Sequence, residues 1–332
     1  GHIGALVMQD VLIVFDDVAE SFQERVKLQT TTRLRATDEF TVWAKEFEKT
    51  KGFMHPQLLP LMITPVEWTE DNLHSGGFYT TKMAAQFPFI KTKCKTHREY
   101  VKGKVPHQHI AAINKMQKTA WKINTRVLDV QTEIYEKSLR VGMPATEKVV
   151  IPEYPEHLKH LDKSELDEQH LNEQEEWKTV AKAAHQREQE RKGQILAFQR
   201  AHKLAKEIAG WDELYFAYNC DFRGRIYCST TGLTPQGNDT AKGLLQFATG
   251  VELGQTGINW LAIHGANTYG EDKLSYRKRL EWVQQHEDAI KSTVSSPIEA
   301  REFWGAADKP YQFLAFCMEW AGCDYGRNPR AT

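Results

Sequence analysis

The sequence predicts a mostly α chain that carries one α+β segment, and three observations predict it. Between residues 106 and 140, Ile110, Ile113, Ala120, Ile123, Val127, Val130 and Ile134 recur at three- and four-residue steps, the spacing of one buried helix face. From Ser164 to Ile208 a long polar run has the composition of a second helix. From Trp211 to Gly250 the character changes: Gly224, Gly232, Pro235, Gly237, Gly243 and Gly250 alternate with β-branched and aromatic residues, which reads as strands and tight loops.

The elements follow in order. Residues 1–50 read as helices with one irregular polar break, Lys27–Arg35, whose threonines and alternation suit a small hairpin. Residues 53–90, with Pro56, Pro60, Pro65, Gly76, Gly77 and Pro88, read as loops and short extended pieces. The helix over 106–140 ends at Gly142 and Pro144. A loop with Pro152 and Pro155 leads into the helix at 164–208, longer than one globular helix usually needs. After the mixed segment, helices return at 257–270, 276–293 and 310–321.

At 332 residues the chain has the length of about two domains. Hydrophobic residues at 41% and charged residues at 26% exclude a collagen-like or low-complexity chain. Nothing approaches the run of about 18 apolar residues that a membrane span needs, and no membrane partner is expected. The cysteines (94, 220, 228, 317 and 323) are odd in number and none has C-x-x-C spacing, so the expectation is a reduced, cytosolic protein.

A net charge of −1 hides strong patterning. Gln86–Arg126 holds ten Lys/Arg and one acid, Pro152–Trp177 nine acids and two bases, and Lys178–Glu207 eight bases and three acids. Basic segments of that density suit phosphate, although solvated helix faces with local ion pairs give the same pattern.

The densest candidate site is Tyr218–Lys242. Asp221, Arg223 and Arg225 fall within five residues, so the carboxylate can hold one guanidinium while the other faces a phosphate. Gly224 permits close backbone approach, Phe222 and Tyr227 offer stacking faces, and Gln236 and Asn238 offer amides in a turn. A strand with an exposed Asp–Arg pair and an ordinary turn has the same spacing. In a second candidate, Lys273 follows two acids that can hold its ammonium for a phosphate; a solvated lysine at a helix end fits equally. A third set lies at helical spacing: Lys122 and Arg126, then Arg187, Arg191 and Lys192. Trp121 among them reads as packing. Walker A, G-x-S-x-G, H-E-x-x-H and G-x-G-x-x-G are absent, and His107 with His109 lacks the neighbours of a metal site.

Asp221-Phe-Arg-Gly-Arg225 resembles the D-x-x-G-R element of the single-subunit RNA polymerases of bacteriophages and mitochondria. Pro235-Gln-Gly-Asn-Asp239, Lys242-Gly-Leu-Leu245, Trp260–Asn267, Gly270-Glu-Asp-Lys273, Ser296-Pro297 and Phe313–Gly322 follow in that family's order. Upstream, Thr119–Asn124 resembles the start of its thumb, and Trp68 with Gly76–Tyr79 the stretch before it.

The resemblance implies a partial right-hand polymerase. Residues 1–118 would be the C-terminal part of the N-terminal domain, 119–208 a helical thumb-like region and 209–332 the first part of the palm. It implies that Asp221, Phe222, Arg223, Gly224, Arg225, Tyr227, Gln236, Asn238 and Lys242 line the template and hybrid cleft. Arg191 and Lys192 would touch the hybrid from the thumb, and Lys273 would face the phosphates of the incoming nucleotide. The Lys27–Arg35 break falls near the family's DNA-opening hairpin. The implied partners are a DNA template, the RNA transcript, nucleoside triphosphates and the rest of a polymerase, in the cytoplasm of a phage-infected bacterium. Nucleotidyl transfer in the family uses Mg²⁺ held by palm aspartates in D-G-S and H-D-S segments. Neither string occurs in these 332 residues, so an isolated chain is expected to be inactive, with no catalytic residue or metal ligand of its own. A non-catalytic nucleic-acid-binding derivative and a helical structural protein are the competing readings.

Overall fold

The computed structural model describes residues 19–26, 29–43, 46, 58–92, 94–101, 103–145, 147–159, 167–323 and 330–331. The chain divides into two units, Gly1–Pro56 and Gln57–Thr332.

In the first unit, β1 (Ala19–Val26) and β2 (Gln29–Ala36) pair antiparallel from Ala19↔Ala36 to Val26↔Gln29, and residues 38–43 are helical. The helix after the break is as expected, whereas the described residues before it, 19–26, are strand in place of the expected helix. Strand occupies 19–26 and 29–36, because Thr30–Thr32 and their alternating neighbours favour the extended backbone over a wider span than the polar break alone. The helix expected over residues 1–18 lies outside the described residues.

In the second unit, the described residues between 58 and 105 are mainly loop, with two short helices, α1 (Thr81–Gln86) and α2 (Lys95–Val101). Buried Trp68 ties this segment down. Its indole Nε1 donates to Tyr218 O at 3.1 Å and to Gln117 Oε1 at 3.2 Å, and the same Gln117 oxygen accepts from Tyr218 N at 3.0 Å.

The single helix expected over 106–140 is two: α3 (His107–Gln117) and α4 (Thr125–Glu136), separated by β3 (Trp121–Ile123). The break has a long-range cause. β3 pairs with β6 (Leu245–Phe247) on one side and bridges Leu214 on the other. Asn124 then caps α4, its Oδ1 accepting from Val127 N.

Helix α5 (Glu168–Ile208) runs 41 residues without interruption, roughly 60 Å. Asp167 caps its start by accepting from His170 N, and residues 164–166 of the expected helix lie outside the described residues. Buried His202 fastens it to α4, with Nδ1 2.8 Å from Gln131 Oε1.

Two short strands, β4 (Tyr218–Cys220) and β5 (Ile226–Cys228), form a hairpin, and β7 (Val251–Glu252) pairs with β8 (Arg330–Ala331). Helices α6 (Asp239–Gly243), α7 (Gly254–Tyr269), α8 (Tyr276–Gln285), α9 (Glu287–Ser295), α10 (Arg301–Gly305) and α11 (Pro310–Trp320) complete the unit. The expected helix 276–293 is divided at His286, whose amide reaches both Trp282 O and Val283 O while its ring stacks on Trp282 at 4.2 Å.

Helix α11 is the core element: Tyr311, Phe313, Leu314, Phe316, Cys317, Met318 and Trp320 are all buried. Its first amides are held by a side chain from another helix. Asp239 of α6 accepts from Tyr311 N at 2.8 Å and from Gln312 N at 3.1 Å. On α7, Gly265 lies flat against the Phe316 ring, and a Cβ there would overlap three ring carbons. Gly265→Ala should therefore destabilise the fold. Overpacking costs about 1–3 kcal/mol against a helix-propensity gain of about 1 kcal/mol. A lowered midpoint in chemical denaturation is expected, and an unchanged or raised midpoint would contradict this packing.

Candidate nucleic-acid interface

The β4–β5 turn is organised by one carboxylate. Asp221 Oδ1 accepts from Arg223 N (2.9 Å) and Arg225 N (3.0 Å), and Oδ2 accepts from Arg225 Nε (2.7 Å). The Tyr227 hydroxyl and Arg223 Nε each stand 3.5 Å from Oδ2. Gly224 closes the turn by donating to Asp221 O, at a φ of +79°, a conformation that glycine adopts without strain. Burial works to raise the Asp221 pKa, but the Arg225 and Arg223 amides and the Arg225 guanidinium outweigh it and bring it to about 2. The group is a carboxylate throughout the neutral range.

What the clasp presents to solvent is cationic and aromatic. Asp221 is 9% exposed. The Arg223 and Arg225 side chains are 57% and 56% exposed and Phe222 is 73% exposed. The Arg223 guanidinium lies 5.6 Å from the Phe222 ring centre, and that of Arg225 5.7 Å from Tyr227. Two further residues join them that sequence reasoning did not single out for this role. Lys91 holds its ammonium 5.7 Å from the Tyr227 ring, and His109 of α3 lies beside Gly224, its Nε2 3.7 Å from where a Cβ would stand. A dense basic segment, Gln86–Arg126, was the signal for Lys91; nothing in the local sequence pairs it with the hairpin.

The other expected site residues divide. Gln236 braces β5 with both ends of its amide, accepting from Cys228 N and donating to Ile226 O. Asn238 caps α6, accepting from Ala241 N. Both therefore support the hairpin's surroundings through their side chains. Lys242 is half-buried and lines a cleft of about 450 Å³ next to the hairpin. Lys273 lies at the turn between α7 and α8, largely exposed, 3.0 Å from Asp272 Oδ2. It is held by one of the two acids that precede it, as the spacing suggests. Arg191 on α5 makes a two-pronged pair with Glu188 (both 2.8 Å) and donates to Ala145 O. The Arg191 bonds come first, ahead of the Val149 amide, in lowering the Glu188 pKa to about 2. That guanidinium is thus engaged within the fold, whereas Lys192 beside it is 69% exposed.

Among the described residues no helix is long and apolar enough to cross a membrane, and no group of three or more His, Cys, Asp or Glu side chains is arranged to hold a metal ion. Asp221 is committed to its arginines. The described residues therefore do not fit the Mg²⁺ that the resemblance implies.

Residues 251–331 match the DNA-dependent RNA polymerase family. Over 272 residues, 81% of this chain, the sequence is 32% identical to T7 RNA polymerase of Escherichia phage T7. It is also 32% identical over 269 residues to the DNA-directed RNA polymerase of Enterobacteria phage T3, and 30% identical over 281 residues to the mitochondrial DNA-directed RNA polymerase 1 of Arabidopsis thaliana. The matched part is 29% of each phage protein and 27% of the plant one, so the chain spans under a third of the length of these relatives.

Proposed function

The chain belongs to the phage-type DNA-directed RNA polymerase family, and from that premise we propose that it forms the template- and hybrid-holding part of an enzyme that transcribes DNA into RNA by nucleotidyl transfer. The single observation that carries this is the Asp221 clasp, which fixes the backbone under Arg223 and Arg225 and leaves both guanidiniums and the Phe222 ring open to solvent. A phosphodiester backbone suits the two cations, and a base suits the aromatic face.

In this reading Lys273 meets nucleotide phosphates and Lys192 approaches the hybrid from α5. Residues 1–118, 119–208 and 209–332 act as the end of an N-terminal domain, a thumb and the beginning of a palm. The work is done in the cytoplasm of a phage-infected bacterium, and Mg²⁺ chemistry belongs to parts of the polymerase outside the described residues. This chain's own share is binding, and a transcription assay with Mg²⁺ and four nucleotides on the isolated chain should give no templated RNA.

The test is the salt dependence of affinity for a short RNA–DNA hybrid. Affinity should fall steeply as salt rises, and Arg223→Ala and Arg225→Ala should each reduce the slope of log K against log salt by roughly 0.7–0.9. A salt-independent affinity, or an Arg225→Ala slope equal to that of the parent, would sink this reading.

A further inference from the structure

The cleft beside the hairpin has a composition of its own. One wall is the cross-strand pair Trp121–Phe247, with ring centres 4.5 Å apart and Phe247 48% exposed. Its floor is Phe316, Leu245 and Ala315. Four polar residues line the same space, Lys242, Gln246, His264 and, from α11, Glu319. Glu319 is the one acid on this mostly apolar helix, and while its backbone carbonyl accepts from Gly322 N, its carboxyl has no hydrogen-bond or ion-pair partner among the described residues. A volume of about 450 Å³ falls in the range, about 300–1,000 Å³, of small-molecule sites. The cleft is linked to the hairpin through one turn: Pro235 lines it, and Gln236, the next residue, is bonded to β5.

We propose that this cleft is a pocket for a single unstacked nucleobase of a strand held at the β4–β5 hairpin. The base stacks on Phe247, its hydrogen-bonding edge meets Glu319 and Gln246, and Lys242 meets the adjoining phosphate. The proposal rests on the nucleic-acid reading above and adds a site to it. An aromatic face, edge-reading polar groups and one cation are the elements by which proteins hold unpaired bases. A purely structural cleft has no use for a half-buried carboxyl without a partner, which costs free energy to keep there.

The carboxyl also gives the pocket a signature. Burial raises the Glu319 pKa to about 7. The charged or titratable groups facing it are Lys242 on α6, His264 on α7, Arg126 on α4 and Cys323 after α11. His264 is pushed below its ordinary value by burial and then by Lys309, and Cys323 is raised by burial and then by Glu319. Glu319 is therefore the group that changes charge around neutrality. Below pH 7 it is neutral and tolerates a phosphate nearby; above pH 7 it is an anion that repels one.

Equilibrium dialysis of the full 332-residue chain against ApA, CpC, GpG and UpU tests this, because the single phosphodiester keeps its charge across the range. At least one dinucleotide should bind saturably and several-fold more weakly at pH 8.5 than at pH 6. Glu319→Gln should bind with no such pH dependence, and Phe247→Ala should lose about tenfold. Phe247 is half exposed, so that variant should fold, with an unchanged circular-dichroism spectrum as the check. Absence of saturable binding, with hybrid binding by the same preparation intact, overturns the pocket alone. Equal binding by Phe247→Ala, or a pH profile unmoved by Glu319→Gln, overturns it as well. A preparation that binds neither dinucleotide nor hybrid overturns the nucleic-acid reading together with it.

Discussion

Asp221→Ala is expected to lower the affinity of the chain for an RNA–DNA hybrid by tenfold or more. A simple count of charges predicts the opposite, since the change removes an anion next to a polyanion. The geometry decides the sign. Without the carboxylate, Arg223 N, Arg225 N and Arg225 Nε lose their acceptor together, and the turn that holds two guanidiniums in one place is released. Asp221→Asn should fall between, because an amide oxygen still accepts from the two backbone amides but gives up the charge-assisted bond to Arg225. The pH dependence has a definite sign as well. A carboxylate whose pKa is depressed to about 2 contributes its full stabilisation above the unfolded value, near 4, and loses it progressively as pH falls from there through 2. This carboxylate therefore contributes no change in hybrid affinity between pH 8 and pH 5. Anisotropy titrations of the three proteins at one salt concentration check the order.

Tyr311→Ala should be among the most damaging single changes to the fold. Tyr311 is fully buried on α11, packs against Trp304 at 5.7 Å and donates from its hydroxyl to Val141 O at 3.0 Å. It therefore links α11, α10 and the connection between α4 and α5. Removing a fully buried aromatic costs about 3–5 kcal/mol. Tyr311→Phe keeps the ring and loses one hydrogen bond, for which about 0.5–1.5 kcal/mol is the usual net cost. Denaturant unfolding of both variants gives the comparison. Near-equal costs would mean that the hydroxyl, and with it the tie to Val141, matters more than the packed ring.

How much of this was legible in the sequence depends on the range of the forces involved. The Asp221–Arg225 pair was legible because its partners are four residues apart and the turn between them needs a glycine at Gly224. The course of α5 and α11 was legible for the same local reason. The break at Trp121–Ile123 was not, since those residues continue the helical spacing and only Leu214 and Leu245–Phe247, about 90 to 126 positions away, draw them into a strand. Nor was the structural work of Gln236, Asn238 and Arg191, whose polar ends look like site chemistry in sequence and bond to the fold in space. Glu319 was hidden inside a mostly apolar helix, although a single acid between buried Met318 and Trp320 is a signal that could have been read.

The most direct measurement of the central claim is where a bound hybrid touches the chain. Ultraviolet cross-linking of an RNA–DNA hybrid to the protein, followed by peptide mass spectrometry, should place adducts on the peptide containing Phe222 and Tyr227. Adducts confined to α5 or to the first unit, with the Tyr218–Cys228 hairpin unmodified, would contradict the account.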